Sequence, residues 1–175
     1  MNSVRRMRIV GLSALMLLGL LIGTAGSVAA DQGYTCPDNS CSFSVPDYYS
    51  EVSNDATSAI FKDANSGGTF TTAIVSDFPA TATLDDAGAA LQDQFSKADG
   101  YVADPRGVQS ATLDGNPARS FYFMQNNSSG TQVEVLAYFS VYQGKLYLLQ
   151  FATTPDQEDA FVAGAKNIFD SWSFT

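Results

Sequence analysis

From residue 43 to residue 153 the dominant apolar period is two, broken by one long stretch with a helical period. Phe43 and Val45 open an alternating run that stops at Pro46. Residues 58–62 and 69–75 read as two further strands. The segment between them, Asp63-Ala64-Asn65-Ser66-Gly67-Gly68, is rich in residues that tolerate positive φ, so the pair reads as a hairpin. Phe78-Pro79 closes the unit.

The period then changes. Leu84, Ala87, Leu91, Phe95 and Ala98 make one apolar face of a helix, with Thr83 as N-cap, Asp86 at N3 and Asp99-Gly100 as the stop. Four strands follow, at 108–113, 118–124, 131–142 and 145–153. Asp114-Gly115 and Gln143-Gly144 are tight turns between them, and Gln125 to Gly130 is a longer polar loop. The last two strands are apolar on both faces, as strands in the middle of a covered sheet are. Thr154, Pro155 and Gln157 form a predicted capping box for a final helix, whose buried stripe is Phe161, Ala165, Ile168 and Trp172. The order is βββ–α–ββββ–α. It predicts an α+β fold, a mainly antiparallel sheet sandwiched by two helices as an α/β/α sandwich.

Ahead of this domain, residues 1–30 read as a signal peptide. Arg5, Arg6 and Arg8 precede an apolar run, and Val28-Ala29-Ala30 supplies the small residues of a cleavage site before Asp31. An uncleaved N-terminal membrane anchor is the alternative, since about 20 apolar residues span a bilayer. A lipid anchor is excluded, because the first cysteine, Cys36, lies too far beyond the apolar run. Residues 31–41 then form a short polar arm with a disulfide loop, and residues 42–175 a single domain.

Cleavage removes three of nine basic residues and no acid. It leaves six basic against eighteen acidic residues, a net charge of −12. That argues against nucleic acid and anionic membrane surfaces, which select basic patches; it reads as a well-solvated acidic secreted domain, with a basic or cation-coated partner as the alternative. In an exported chain Cys36 and Cys41 read as a disulfide, since zinc would need ligands the chain lacks. With no histidine there is no Ser-His-Asp or Cys-His arrangement, so carboxylates, Lys, Tyr and Arg are the remaining catalytic candidates. Asp85-Asp86 and Glu158-Asp159 sit in predicted first helical turns, where negative charge is structural. The loop beginning at Asp63 starts like a calcium loop but has Ile74 where the twelfth-position acid belongs. Two Asn-x-Ser sequons in Asn126-Asn127-Ser128-Ser129 read as a polar turn.

Two places are candidate partner or ligand contacts. Arg119 lies inside an apolar strand and could bind an anionic group. The competing reading pairs it with Glu134, on the same face at a diagonal position if the hairpin is centred near Asn127. Tyr48 and Tyr49 follow Pro46-Asp47 and either form an exposed anchor or cap one end of the core.

The opening Phe43-Ser44-Val45-Pro46, the early hairpin before a single helix, the turn Leu113-Asp114-Gly115-Asn116-Pro117-Ala118 and the ending Asn167-Ile168-Phe169-Asp170-Ser171-Trp172-Ser173-Phe174 together resemble the PsbP-like family of PsbP and DcrB-like exported domains. The likeness spans about residues 42–175. It implies a non-enzymatic accessory or adaptor domain that binds a larger assembly, and the chain is expected to be a monomer without cofactor or metal that binds a protein partner in the envelope or outside the cell. A small-molecule or metal-ion binding protein with a cleft beside the sheet is the alternative, and a hydrolase using carboxylates is a third class.

Overall fold

A computed structural model describes residues 31–175, apart from the side chains of residues 160, 161 and 163. The predicted leader and the side chain of Phe161 lie outside these described residues. Eleven strands and two helices follow one another among them: β1 (Gln32–Thr35), β2 (Cys41–Val45), β3 (Tyr49–Asn54), β4 (Ser58–Asp63), β5 (Thr69–Val75), α1 (Leu84–Phe95), β6 (Val102–Ala103), β7 (Gln109–Leu113), β8 (Asn116–Asn126), β9 (Gln132–Tyr142), β10 (Lys145–Thr153), α2 (Glu158–Ser171) and β11 (Ser173–Phe174).

The main sheet runs β3-β4-β5-β10-β9-β8-β6, with β7 pairing β8 beside β6. Every pairing in it is antiparallel. β9 and β10 lie mid-sheet, as their two apolar faces predict. Their joining turn puts Gln143 at φ 49° and Gly144 at 76°, and Asp114 and Gly115 take 47° and 71° between β7 and β8. Both central residues of a type I′ turn need positive φ, which explains the choice of Gly at each second position.

Each face of the sheet has its own core. Ala87 and Leu91 of α1 pack with Phe121, Phe123, Ala137, Phe139, Leu146 and Leu148. On the other face Ala165 and Ile168 of α2, together with Phe43 and Trp172, pack with Phe61, Phe70, Tyr147, Leu149 and Phe151. The antiparallel α/β/α sandwich expected from the sequence is therefore the observed architecture.

Some details differ. The polar arm is ordered as β1, and β1, β2 and β11 form a second, three-stranded sheet. β3 carries no apolar alternation, because only Tyr49 of its residues is buried. It is an edge strand that needs only backbone pairing with β4, and a bulge between Glu51 and Ser53 interrupts even that. α1 has the expected capping box between Thr83 and Asp86, but it ends at Phe95, short of Ala98. The capping box expected for α2 is absent. Thr154 instead precedes a 3₁₀ turn, Pro155–Gln157, closed by Gln157 N–H donating to the Thr154 carbonyl at 2.9 Å. The tighter i to i+3 bond satisfies the backbone that a side-chain cap would have served.

Candidate functional site

Arg119 lies on the α1 face of β8, where Phe121 and Phe123 also point. Its Nε donates to Asp85 Oδ1 at 3.0 Å and its guanidinium also donates to the Ala118 carbonyl at 3.1 Å. The expected partner Glu134 is not involved. Asn126 pairs with Gln132, so the β8–β9 hairpin is centred on Ser129 rather than Asn127. Arg119 then stands opposite Phe139 and Glu134 opposite Met124, on opposite faces of the sheet. Asp85 was missed as a partner because sequence pattern alone does not say which turn of α1 crosses β8. The Arg119 side chain keeps 26% of its surface exposed and Asp85 77%, so the pair is loose and solvated.

Tyr48 and Tyr49 lie on the other face, against α2. A Cβ built on Gly164 would stand 2.9 Å from Tyr49 Oη and 3.0 Å from Tyr48 Oη, so the absence of a side chain at Gly164 is what lets these rings approach the helix. Tyr49 is buried, and its hydroxyl has no hydrogen-bond partner. Burial first, then the neighbouring Asp63, pushes its pKa far up, so it stays a neutral phenol. Only Tyr48, half-buried, presents surface. Arg119 and the tyrosines are thus not one site.

The disulfide joins Cys36 and Cys41 with 5.2 Å between Cα atoms. Its loop is fastened to the β9–β10 turn, since Asp38 accepts from Lys145 Nζ at 2.7 Å. Burial works against the charge on Asp38, yet hydrogen bonds from Lys145 and Ser40 hold its pKa below the ordinary value.

The acidic loop between β4 and β5 is self-contained. Asp63 is 1% exposed and accepts from Asn65 N–H at 2.7 Å and Ser66 Oγ at 2.6 Å, forming an Asx-turn. No group of three or more metal-binding side chains occurs among the described residues. On the α2 face Arg106 pairs with Asp104 at 2.7 Å and lies 4.4 Å over the Tyr122 ring. Nearby Glu134 has its pKa raised, by burial first and by Glu158 second.

On the α1 face a pocket opens where the helix ends, with Thr71, Gln125 and Gln150 among its walls. None of these was singled out from the sequence. The available signal was polar residues at inward parity, Gln150 continuing the row of Leu146 and Leu148 and Thr71 preceding Ala73.

No family model and no curated protein matches the chain. Solved structures do. The chain is similar to cyanobacterial PsbP from Synechocystis (18% identity, TM-score 0.59), over 88% of this chain and 99% of that one. LpqN, involved in cell envelope biogenesis of Mycobacterium tuberculosis, shares 15% identity at TM-score 0.60, over 83% and 90%. The Ran-binding protein Mog1p of Saccharomyces cerevisiae shares 6% at TM-score 0.57, over 82% and 95%. These distant proteins and this chain share one α/β/α sandwich fold. Among the described residues no helix is long and apolar enough to cross a membrane.

Proposed function

We propose that this chain is an exported, non-enzymatic accessory domain of the PsbP-like kind that binds a protein partner outside the cytoplasmic membrane. The observation that carries the reading is the shared fold, held by one protein that binds Ran and another involved in cell envelope biogenesis. A chain without histidine, with both cysteines bonded to each other, is consistent with binding rather than catalysis. Residues 1–30 are the cleaved signal, 31–41 the arm with the disulfide loop and 42–175 the domain. The excess of acidic residues selects a basic or cation-coated partner. Arg119 is the contact we assign to it on the α1 face, and Tyr48, supported from beneath by Tyr49, is a separate candidate contact on the opposite face.

In-cell cross-linking of the tagged protein, followed by mass spectrometry, tests this reading. Intact mass of the exported form should begin at Asp31. Arg119→Met should leave thermal melting nearly unchanged, because an ion pair this exposed contributes ~0–1 kcal/mol, and should reduce capture of the partner. Capture that is equal for the wild type and Arg119→Met removes Arg119 from the contact surface. Saturable turnover of ester, glycoside or phosphate substrates would replace the reading with a hydrolase.

A further inference from the structure

Beyond the end of α1, the sheet face that it covers continues as a pocket of about 160 Å³. Thr71 of β5, Gln150 and Ala152 of β10, Val133 and Val135 of β9 and Gln125 of β8 line it. The turns between β4 and β5 and between β8 and β9 form its rims. Both rims are held in advance of any ligand. Asp63 organises the first, and Asn127 Oδ1 accepts from Ser129 N–H and Thr131 N–H, each at 2.9 Å, in the second.

Three observations define what such a pocket would take. Not one lining residue is ionisable, although the chain carries eighteen acids. The lining offers no ion partner to a charged ligand, which would lose hydration without compensation. Second, Gln125 Oε1 is buried and meets no donor. That oxygen is out of a ligand's reach, so the end of the amide that meets the pocket is Nε2, a donor to a ligand hydroxyl oxygen. Thr153 and Thr154, where β10 ends, line the pocket as well. Third, Val133, Val135 and Ala152 give an apolar floor beside Thr71, Gln125 and Gln150. A ring with C–H groups on one face and hydroxyls at its edge matches that division.

We infer that this pocket binds a small, uncharged, polyhydroxylated ring, a single sugar unit. A cavity of about 150 Å³ takes a benzene-sized ligand, so about 160 Å³ suits one ring rather than an extended glycan. The ring lies on the Val133–Val135–Ala152 floor, one of its hydroxyl oxygens accepts from Gln125 Nε2, and Thr71 and Gln150 bond its other edge. Binding adds a function to the protein-partner reading and does not depend on it.

An amide-resolved NMR titration of the purified protein decides it. The probes are glucose, N-acetylglucosamine and methyl mannoside, with glucuronate and glucosamine as charged counterparts. At least one neutral sugar should give saturable shifts confined to residues 66–71, 125–128, 133–135 and 150–153, and its charged counterparts should bind more weakly. Gln125→Leu should weaken that binding about tenfold, the equivalent of one good hydrogen bond. If Gln125→Leu melts early, Gln150→Leu carries the same test from another wall. Absence of saturation by every neutral sugar, shifts elsewhere on the surface, or affinity unchanged in the folded variants would overturn the inference. So would displacement of the sugar shifts by a peptide, which would make the pocket part of a protein-docking surface.

Discussion

The rings of Phe43 and Trp172 lie face to face, 4.9 Å apart and 5° from parallel. One belongs to β2, near the start of the domain, and the other caps the C-terminal end of α2. Phe43 also meets Phe70 edge-on at 5.5 Å, and Trp172 meets Tyr147 edge-on at 6.4 Å, so the pair joins the small sheet to the large one. A hydrogen bond from Ser44 N–H to the Ser171 hydroxyl, at 2.9 Å, also ties β2 to the end of α2.

Trp172→Ala should therefore destabilise the fold by about 3–5 kcal/mol, the range for removing a large buried aromatic. Trp172→Phe, which keeps a ring on Phe43, should lose much less. Urea unfolding followed by circular dichroism measures both. A loss under about 1 kcal/mol for the alanine variant would show that the ring stack does not hold the junction.

Tyr49 offers a test of opposite sign. Its hydroxyl is buried without a partner, so Tyr49→Phe should be neutral or stabilising by up to ~1 kcal/mol. Gly164→Ala should destabilise by roughly 1–3 kcal/mol, because overpacking against two ring hydroxyls outweighs the ~1 kcal/mol gain in helix propensity. Combined with Tyr49→Phe, the Gly164→Ala loss should shrink. Thermal melting of the two single variants and the double variant checks the coupling.

Most of the fold was legible because long strands and helices must advertise a buried face. β9, β10 and the capping box of α1 are of this kind. β1 and β3 were not legible, since pairing at a sheet edge is made by the backbone and leaves side chains free to be polar. The same holds for sites. Arg119 stood out as a charge among apolar residues, yet its partner depended on the crossing of α1 over β8. Gln125 and Gln150 were hidden in the opposite way. Each looks like an ordinary polar residue until strand parity shows that it faces inward.

The disulfide closes a short loop, so its loss should be modest. Replacing Cys36 and Cys41 with Ser should lower stability by roughly 2 kcal/mol in the chain-entropy model, and alkylation of the native protein should label neither thiol before reduction. The Asp38–Lys145 contact should keep the loop near the β9–β10 turn even then. Mass spectrometry after alkylation, together with urea unfolding, reads both effects.

The acid limb of stability should have two parts. Glu134 is held above its ordinary value of 4.5 by burial and by Glu158, so its protonation as pH falls through that raised value favours the folded state. Asp38, Asp55, Asp86 and Asp104 are held below the ordinary 3.8, Asp104 at about 2 by the hydrogen bonds and charge of Arg106. Their contribution is complete above 3.8 and is lost as pH falls through the lowered values. Stability should thus peak at mildly acidic pH and decline steeply below about pH 4. Melting temperature measured across pH 2 to 7 shows the shape, and Glu134→Gln should flatten the rise on the alkaline side of the peak. A monotonic fall from neutral pH would contradict it.

The small sheet places β1 and β11 on either side of β2, with Phe174 N–H also bonded to Asp114 at 2.9 Å in the β7–β8 turn. A ribosome must therefore synthesise Phe174 before β2 has both of its neighbours, and a growing chain carries Phe43 and Tyr147 without the Trp172 and Phe174 rings that cover them.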